Sequence, residues 1–214
     1  MTIQRATLYI VLLFAAVALY TAIVYPSLPD RIPIHWNIRG EIDGWGPKST
    51  VLISPAMILL GLVLLHGLPA LSPIRFKIDT FRPTFNYMMV IVSALFAFIA
   101  VLMIVAAQHH DFAIGKFLVA GISLFLAWLG NLLGKTRRNF YVGVRTPWTL
   151  ASERVWNATH RVAARWMVAG GLVSAVLAFF GLFVACFGVI MVTCLYPVLF
   201  SFVYYKRLER SGGL

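Results

Sequence analysis

The sequence predicts an all-α polytopic membrane protein: six transmembrane helices with cytoplasmic termini, a compact outward loop after helix 1, and an interfacial amphipathic helix before helix 5. Three observations carry that prediction. Apolar residues make up 61% of the 214 and charged residues only 12%, against about 45–50% and 25% in soluble domains. The apolar residues gather into runs near the roughly 20 residues that cross a bilayer. The basic residues fall mostly on one side of those runs, which sets orientation.

In chain order the spans read Ala6–Tyr25, Val51–Leu71, Met88–Ala107, Phe112–Gly134, Ala163–Leu182 and Cys186–Tyr205. The first is longer than the roughly 7–15-residue core of a cleaved signal, so it is read as a retained span. The last two share one uncharged run from Trp166 to Tyr205. As a single helix that run would extend about 60 Å, twice the hydrocarbon thickness, so it turns back between Gly181 and Gly188. Pro55 and Pro197 interrupt their spans and are expected to kink them. Gly130 and Gly134 have the small-xxx-small spacing that lets helices approach; Asn131 between them is expected to bond across helices. The chain reads as a single membrane domain over residues 1–214. Residues 1–71 form an N-terminal helical hairpin with an outward loop at 26–50, and residues 112–205 a C-terminal region with a cytoplasmic loop at 135–162.

Orientation follows from the basic residues. Arg5, Arg75, Lys77, Arg82, Lys135, Arg137, Arg138, Arg145, Arg154, Arg161, Arg165, Lys206, Arg207 and Arg210 share one face. Less Asp79, Glu153 and Glu209, that face carries the whole net charge of +11. On the other face Arg31, Arg39, Lys48 and Lys116 are offset by Asp30, Glu41, Asp43 and Asp111. The first face is therefore read as cytoplasmic, and the basic excess as a match to membrane lipid rather than to nucleic acid. Cys186 and Cys194 both fall in the sixth span, which suits buried thiols rather than a disulfide framework.

Two loops are denser than a connector needs. The outward LPDRIPIHWNIRGEIDGWGPK, Leu28 to Lys48, is rich in Pro and Gly and reads as consecutive turns. Ile32, Ile34, Trp36 and Ile38 alternate with polar residues, which fits a short strand bearing His35 and Asn37 on its other face. The turn at Gly40 and the Asp43-Gly44 pair return the chain as a hairpin. A metal at His35 would need further ligands, with Asp43, His109, His110 and Asp111 as the candidates; no metal site and no cofactor is predicted. His35, Trp36, Asn37, Asp43 and Trp45 are the candidate outward ligand-binding residues, and a plain lid over the helix ends is the competing reading.

In the inner loop Thr146 and Pro147 make a helix start, Thr as N-cap and Pro at the first helical position. From there Trp148, Val155, Val162 and Trp166 line one face, with Arg154, Arg161 and Arg165 on another, as in a helix lying on the membrane surface. Glu153, Trp156 and His160 also share a face. Asn131, Asn139, Arg145, Trp148, Arg154, Trp156, His160 and Arg161 are the candidate residues for binding lipid or a cytoplasmic partner. No Asp or Glu lies inside a span, which disfavours an ion-coupled carrier. No Walker loop, HExxH or GxSxG is present, so the chain is read as non-enzymatic. The alternatives are an intramembrane enzyme or lipid-handling protein, and an uncoupled transporter.

The outward IPIHWNIRGEIDGWGPK is similar to the N-terminal domain of unknown function often found in the SdpI family of bacterial membrane immunity proteins. The inner GNLLGKTRRNFYVGVRTPWTLASERVWNATHR, Gly130 to Arg161, resembles that family's defining segment. The resemblance matches His35, Trp36, Asn37, Gly40, Asp43 and Gly44 outside. Inside it matches Asn131, Asn139, Gly143, Arg145, Thr146, Pro147, Trp148, Thr149, Trp156, Thr159 and His160. It implies a multi-pass protein of the bacterial plasma membrane that protects against a secreted peptide toxin, with toxin engagement read out by a cytoplasmic transcription regulator. It implies no catalytic residue and no direct nucleic-acid binding.

Overall fold

The computed structural model describes residues 1–74, 78–109 and 112–214. Its elements are α1 (Ile3–Val24), a β-hairpin of β1 (Arg31–Trp36) and β2 (Ile42–Pro47), α2 (Ile53–Ala70), α3 (Arg82–Gln108), α4 (Ile114–Leu133), the short α5 (Pro147–Ala151), α6 (Glu153–Phe179) and α7 (Phe183–Arg210). Among the described residues six helices, all but α5, are long and apolar enough to cross a membrane. The hairpin lies at one end of the bundle, and the starts of α1 and α3 lie with the 134–152 loop at the other, called here the arginine end.

The two ends of α6 show what sequence reading catches and misses. The turn out of α6 falls at Gly181, at φ +73°, where Leu182 N–H donates to Leu177 O at 3.1 Å and Gly181 N–H to Ala178 O at 3.0 Å. These two bonds satisfy orphan carbonyls at the helix end and reverse the chain inside the expected Gly181–Gly188 window. At its start, α6 begins ten residues before the expected Ala163. The amphipathic helix expected from Thr146 through Trp166 is split at Ser152, which ends α5 and caps α6, accepting from Val155 N–H at 3.5 Å. Its face also differs: Val155 is buried, whereas Trp166 is exposed. The Ser152 cap competes with continuous helix, and contacts to α4 then select the buried face. Pro55 likewise does not kink its helix, because it sits in the first turn of α2, where a missing N–H costs little. Pro197 lies inside α7 and is buried.

Helices α1, α2 and α3 pack on one another around Ile10, Ile58, Leu65, Phe85 and Met88, all fully buried. In the second half α4 packs along α6, and α6 along α7. The approach of α4 to α6 is close enough to need small residues. A Cβ on Gly171 would lie 2.5 Å from Ser123 O and 2.8 Å from Ala127 Cβ, and one on Gly130 would lie 2.5 Å from Met167 Cβ. At that seam Ser123 Oγ and Ser174 Oγ share a 2.9 Å hydrogen bond across the helices. Gly130 thus meets the small-residue expectation. Asn131 does not bond across helices; it is exposed and lines a cleft with α1 and α3.

Gly171→Val sets a methyl against backbone that cannot retreat, and should cost about 1–3 kcal/mol through α4–α6 separation. A Cβ on Gly67 would meet no atom within 4 Å, so Gly67→Ala should instead stabilise by about 0.5–1 kcal/mol. Thermal unfolding of the two variants in detergent should move in opposite directions from the parent.

Candidate functional site

The hairpin pairs Arg31 with Pro47, Ile32 with Gly46, Pro33 with Trp45, His35 with Gly44 and Trp36 with Ile42. The register is irregular between Pro33 and His35 and between His35 and Trp36. The expected alternation therefore holds only in part. Ile32 is fully buried with Leu28, Val51, Ile104 and Ala107, while Ile34 and Ile38 are largely exposed. At Pro33 the strand has no N–H to give, and a bulge re-aims the residues that follow.

Asn37 builds the tip. Its Oδ1 accepts from Arg39 N–H at 2.8 Å and Glu41 N–H at 3.1 Å, and its Nδ2 donates to Glu41 Oε2 at 2.8 Å. Arg39 Nε reaches the same carboxylate at 3.1 Å. The Asn37 amide and then the Arg39 guanidinium hold the Glu41 carboxyl below its ordinary pKa. Gly40, at φ +77°, brings the tip onto the starts of α4 and α7: a Cβ there would lie 2.6 Å from the Phe183 ring, and one on Gly115 would lie 2.9 Å from Gly40 Cα. The cap is thus fixed to α3 through Ile32 and rests on α4 and α7 through its tip.

Of the five candidate outward residues, His35 and Asp43 are brought together, His35 Nδ1 lying 2.5 Å from Asp43 Oδ1. Both stay open to solvent, with side chains 70% and 43% exposed. Among the described residues no group of three His, Cys, Asp or Glu gathers around them; His110 and Asp111 lie outside the described residues. Trp45 lies opposite Pro33 in the hairpin register. Trp36 turns under the cap and separates two apolar recesses. One, of about 220 Å³, is closed by Gly115, Phe183, Cys186 and Phe187; the other, of about 370 Å³, by Ile99, Leu102 and Met103. Leu118 and Ile122 of α4 line both. The indole Nε1 of Trp36 is buried and has no hydrogen-bond partner among the described residues.

At the opposite end Asn139 is fully buried and closes the loop on itself. Its Oδ1 accepts from Tyr141 N–H at 2.8 Å and Val142 N–H at 2.7 Å; its Nδ2 donates to Arg137 O at 2.8 Å and Val142 O at 3.1 Å. Trp156, also fully buried, donates from Nε1 to Thr136 O at 3.2 Å and stacks on His160 at a centroid distance of 4.0 Å. Val144 N–H donates to His160 Nε2 at 3.0 Å, so Nδ1 carries the proton and donates to Trp156 O at 2.8 Å. Gly143, at φ +115°, is the residue that lets the chain pass the imidazole; a Cβ there would collide with Nε2.

Thr146 caps α5 as expected, in a reciprocal box with the buried Thr149. Trp148 docks α5 on α7, its Nε1 donating to Ser201 Oγ and its ring lying edge-on to Phe202 at 5.2 Å. The inner candidates therefore divide. Asn139, Trp148, Trp156 and His160 form the inside of the loop. Asn131, Arg145, Arg154 and Arg161 are exposed, with Arg145 donating to Phe140 O and Arg154 to Gly213 O at 3.2 Å. Glu153 is exposed and does not share the buried face of Trp156 and His160. Sequence reading missed Ser201 and Phe183, because neither carries a local signal; each is placed by a helix folding back.

Both dense loops fall in segments that match known families. Residues 12–59 match DUF1648, a domain of unknown function, and residues 135–204 match the SdpI/YfhL protein family. Over 196 residues the chain is 29% identical to "Immunity protein SdpI" of Bacillus subtilis (strain 168), covering 90% of this chain and 92% of that protein. No solved structure matches. The resemblance read from the two loops is thus borne out, and with six spanning helices the chain is a multi-pass protein of the bacterial plasma membrane.

Two measurements check these two ends. Asn139→Ala leaves buried backbone groups without partners and should cost at least about 2 kcal/mol, read as fast hydrogen exchange at Tyr141 and Val142 while the helices stay protected. At the cap, a depressed carboxyl pKa stabilises the folded tip above the ordinary value and is lost as pH falls through the folded one. Glu41 should therefore titrate below its ordinary 4.5, and Asn37→Ala should move its NMR midpoint up toward that value.

Proposed function

We propose that the chain is an immunity-type protein that meets an amphipathic peptide toxin at its hairpin cap. The matches at 135–204 and across nine-tenths of the chain support the class. The observation that carries the site is Trp36, whose buried indole N–H, unpartnered among the described residues, sits between two apolar recesses. A peptide that inserts apolar side chains there and offers a backbone carbonyl to Nε1 would bury apolar surface and complete the hydrogen bond. A buried donor without an acceptor costs about 1–3 kcal/mol, so an occupant that supplies one gains on that scale. The His35–Asp43 pair on the open face of the same hairpin offers a further polar contact at the rim.

The segregation of basic residues supports placing the cap outside and the arginine end in the cytoplasm. Peptide contact at the cap would act on α4 and α7, on which the tip rests. Helix α7 also receives Trp148 at Ser201, so its movement would be felt by the inner loop. The exposed Arg145, Arg154 and Arg161 are then the surface for an acidic partner, such as a cytoplasmic regulator, whose access changes with the population of loop states.

Expression in a toxin-sensitive strain should raise survival. Trp36→Phe, which keeps the ring and removes the N–H, should lower protection about tenfold at equal membrane abundance. A wild-type chain that reaches the membrane and gives no protection ends the immunity reading; full protection by both Trp36→Phe and Trp36→Ala ends the assignment of the site.

A further inference from the structure

We infer that the cleft at the arginine end, between the starts of α1 and α3 and the end of α4, binds the headgroup of an anionic phospholipid. The cleft is about 490 Å³ and touches the 135–162 loop only at its first residue, Lys135. Its polar wall holds Arg5 of α1, Asn131 of α4 and Lys135 just beyond α4. No carboxylate lines it. Among the described residues neither cation is in an ion pair: at this end Asp79 is paired with Arg82 at 3.1 Å and Glu209 with Lys206 at 2.7 Å. Arg5, Lys135 and the Asn131 amide thus line one hollow, beside the Met1 ammonium that donates to Pro83 O at 3.2 Å, and no Asp or Glu among the described residues lines it.

The rest of the wall sets the kind of anion. Tyr9, Tyr87 and Trp128 line the same cleft, and Tyr87 and Trp128 meet edge-on at a centroid distance of 6.1 Å. Tyr9 and Trp128 are about half exposed on helices that cross the membrane. Aromatic rings with one wet edge belong at headgroup level, between charged group and acyl chain. A soluble phosphate would use the cations and leave the rings idle. A phospholipid uses both, its phosphate against Arg5 and Lys135 and its glycerol and first methylenes against the rings. Zwitterionic lipids bring their own cation to the same wall, which favours a headgroup with net negative charge.

The test is native mass spectrometry of the full chain released from detergent with phosphatidylglycerol or phosphatidylcholine added. One phosphatidylglycerol should be retained in preference to phosphatidylcholine. Arg5→Gln with Lys135→Gln should lower its retention roughly twentyfold, about fivefold for each basic residue near the surface. Arg207→Gln with Arg210→Gln removes the same charge elsewhere at that end and should leave retention intact. Arg5→Lys with Lys135→Arg keeps both charges and should retain the lipid, which separates loss of the site from loss of folding. Equal retention of the two lipids, equal loss in both Gln pairs, or displacement of the lipid by millimolar inorganic phosphate would each overturn the inference.

Discussion

A chain that leaves helix at a membrane boundary has to satisfy its own backbone, because each unpaired N–H or C=O away from water costs several kcal/mol. Both irregular ends of this protein meet that constraint with one asparagine. Asn37 accepts two backbone N–H groups through its Oδ1 and donates to Glu41. Asn139 accepts two through its Oδ1 and donates to two carbonyls. An aspartate could accept but not donate, and an alanine could do neither. Each loop thus satisfies part of its own backbone locally, and the inner one is further held by His160 and Trp156 of α6.

Those units then decide how the helices can move. In the first half α1, α2 and α3 all touch one another, whereas in the second half α6 lies between α4 and α7. The cap spans the two halves, held to α3 through Ile32 and resting on α4 and α7 through Gly40. At the far end Tyr141 donates to Leu71 O at 2.8 Å, joining the inner loop to the end of α2, while Trp148 joins it to α7. Each loop is thus a tie between a compact three-helix group and a more open one. The seam between α4 and α6 is the stiffest part of the second half, since Gly171 leaves no room between backbones. Helix α7 packs along α6 and touches α4 little.

Most of the architecture was legible because it depends on solvent and period: span number from apolar length, the α6–α7 reversal from a run too long to cross once, the α5 cap from Thr146-Pro147. What stayed hidden depends on tertiary contact. Ser152 reads as an ordinary polar residue, yet it ends one helix and starts the next. Asn131 reads as an interhelical amide, yet the residues it faces come from α1 and α3, far away in sequence. Ile34 and Ile38 read as one buried face with Ile32, and the bulges at Pro33 and His35 break that alternation. In the site, His35 with Asp43 followed from hairpin geometry, whereas the recesses beside Trp36 needed the folded positions of α3, α4 and α7.

Much of the inner family motif is engaged inside its own loop, while Asn131 and Arg145 of the same motif stay exposed. Asn139, Gly143 and His160 are each committed within the fold: Asn139 to four backbone bonds, His160 through both ring nitrogens, Gly143 because any Cβ there would strike the imidazole. A residue with every polar atom engaged inside its own loop has none left for a ligand. On the proposed function, selectivity would reside at Trp36 and the helix faces beside it, where walls are still open. If a peptide binds there as proposed, its fit would depend on Leu118, Ile122, Met103 and Phe187, which line the recesses and take no part in the bonds that hold the loops.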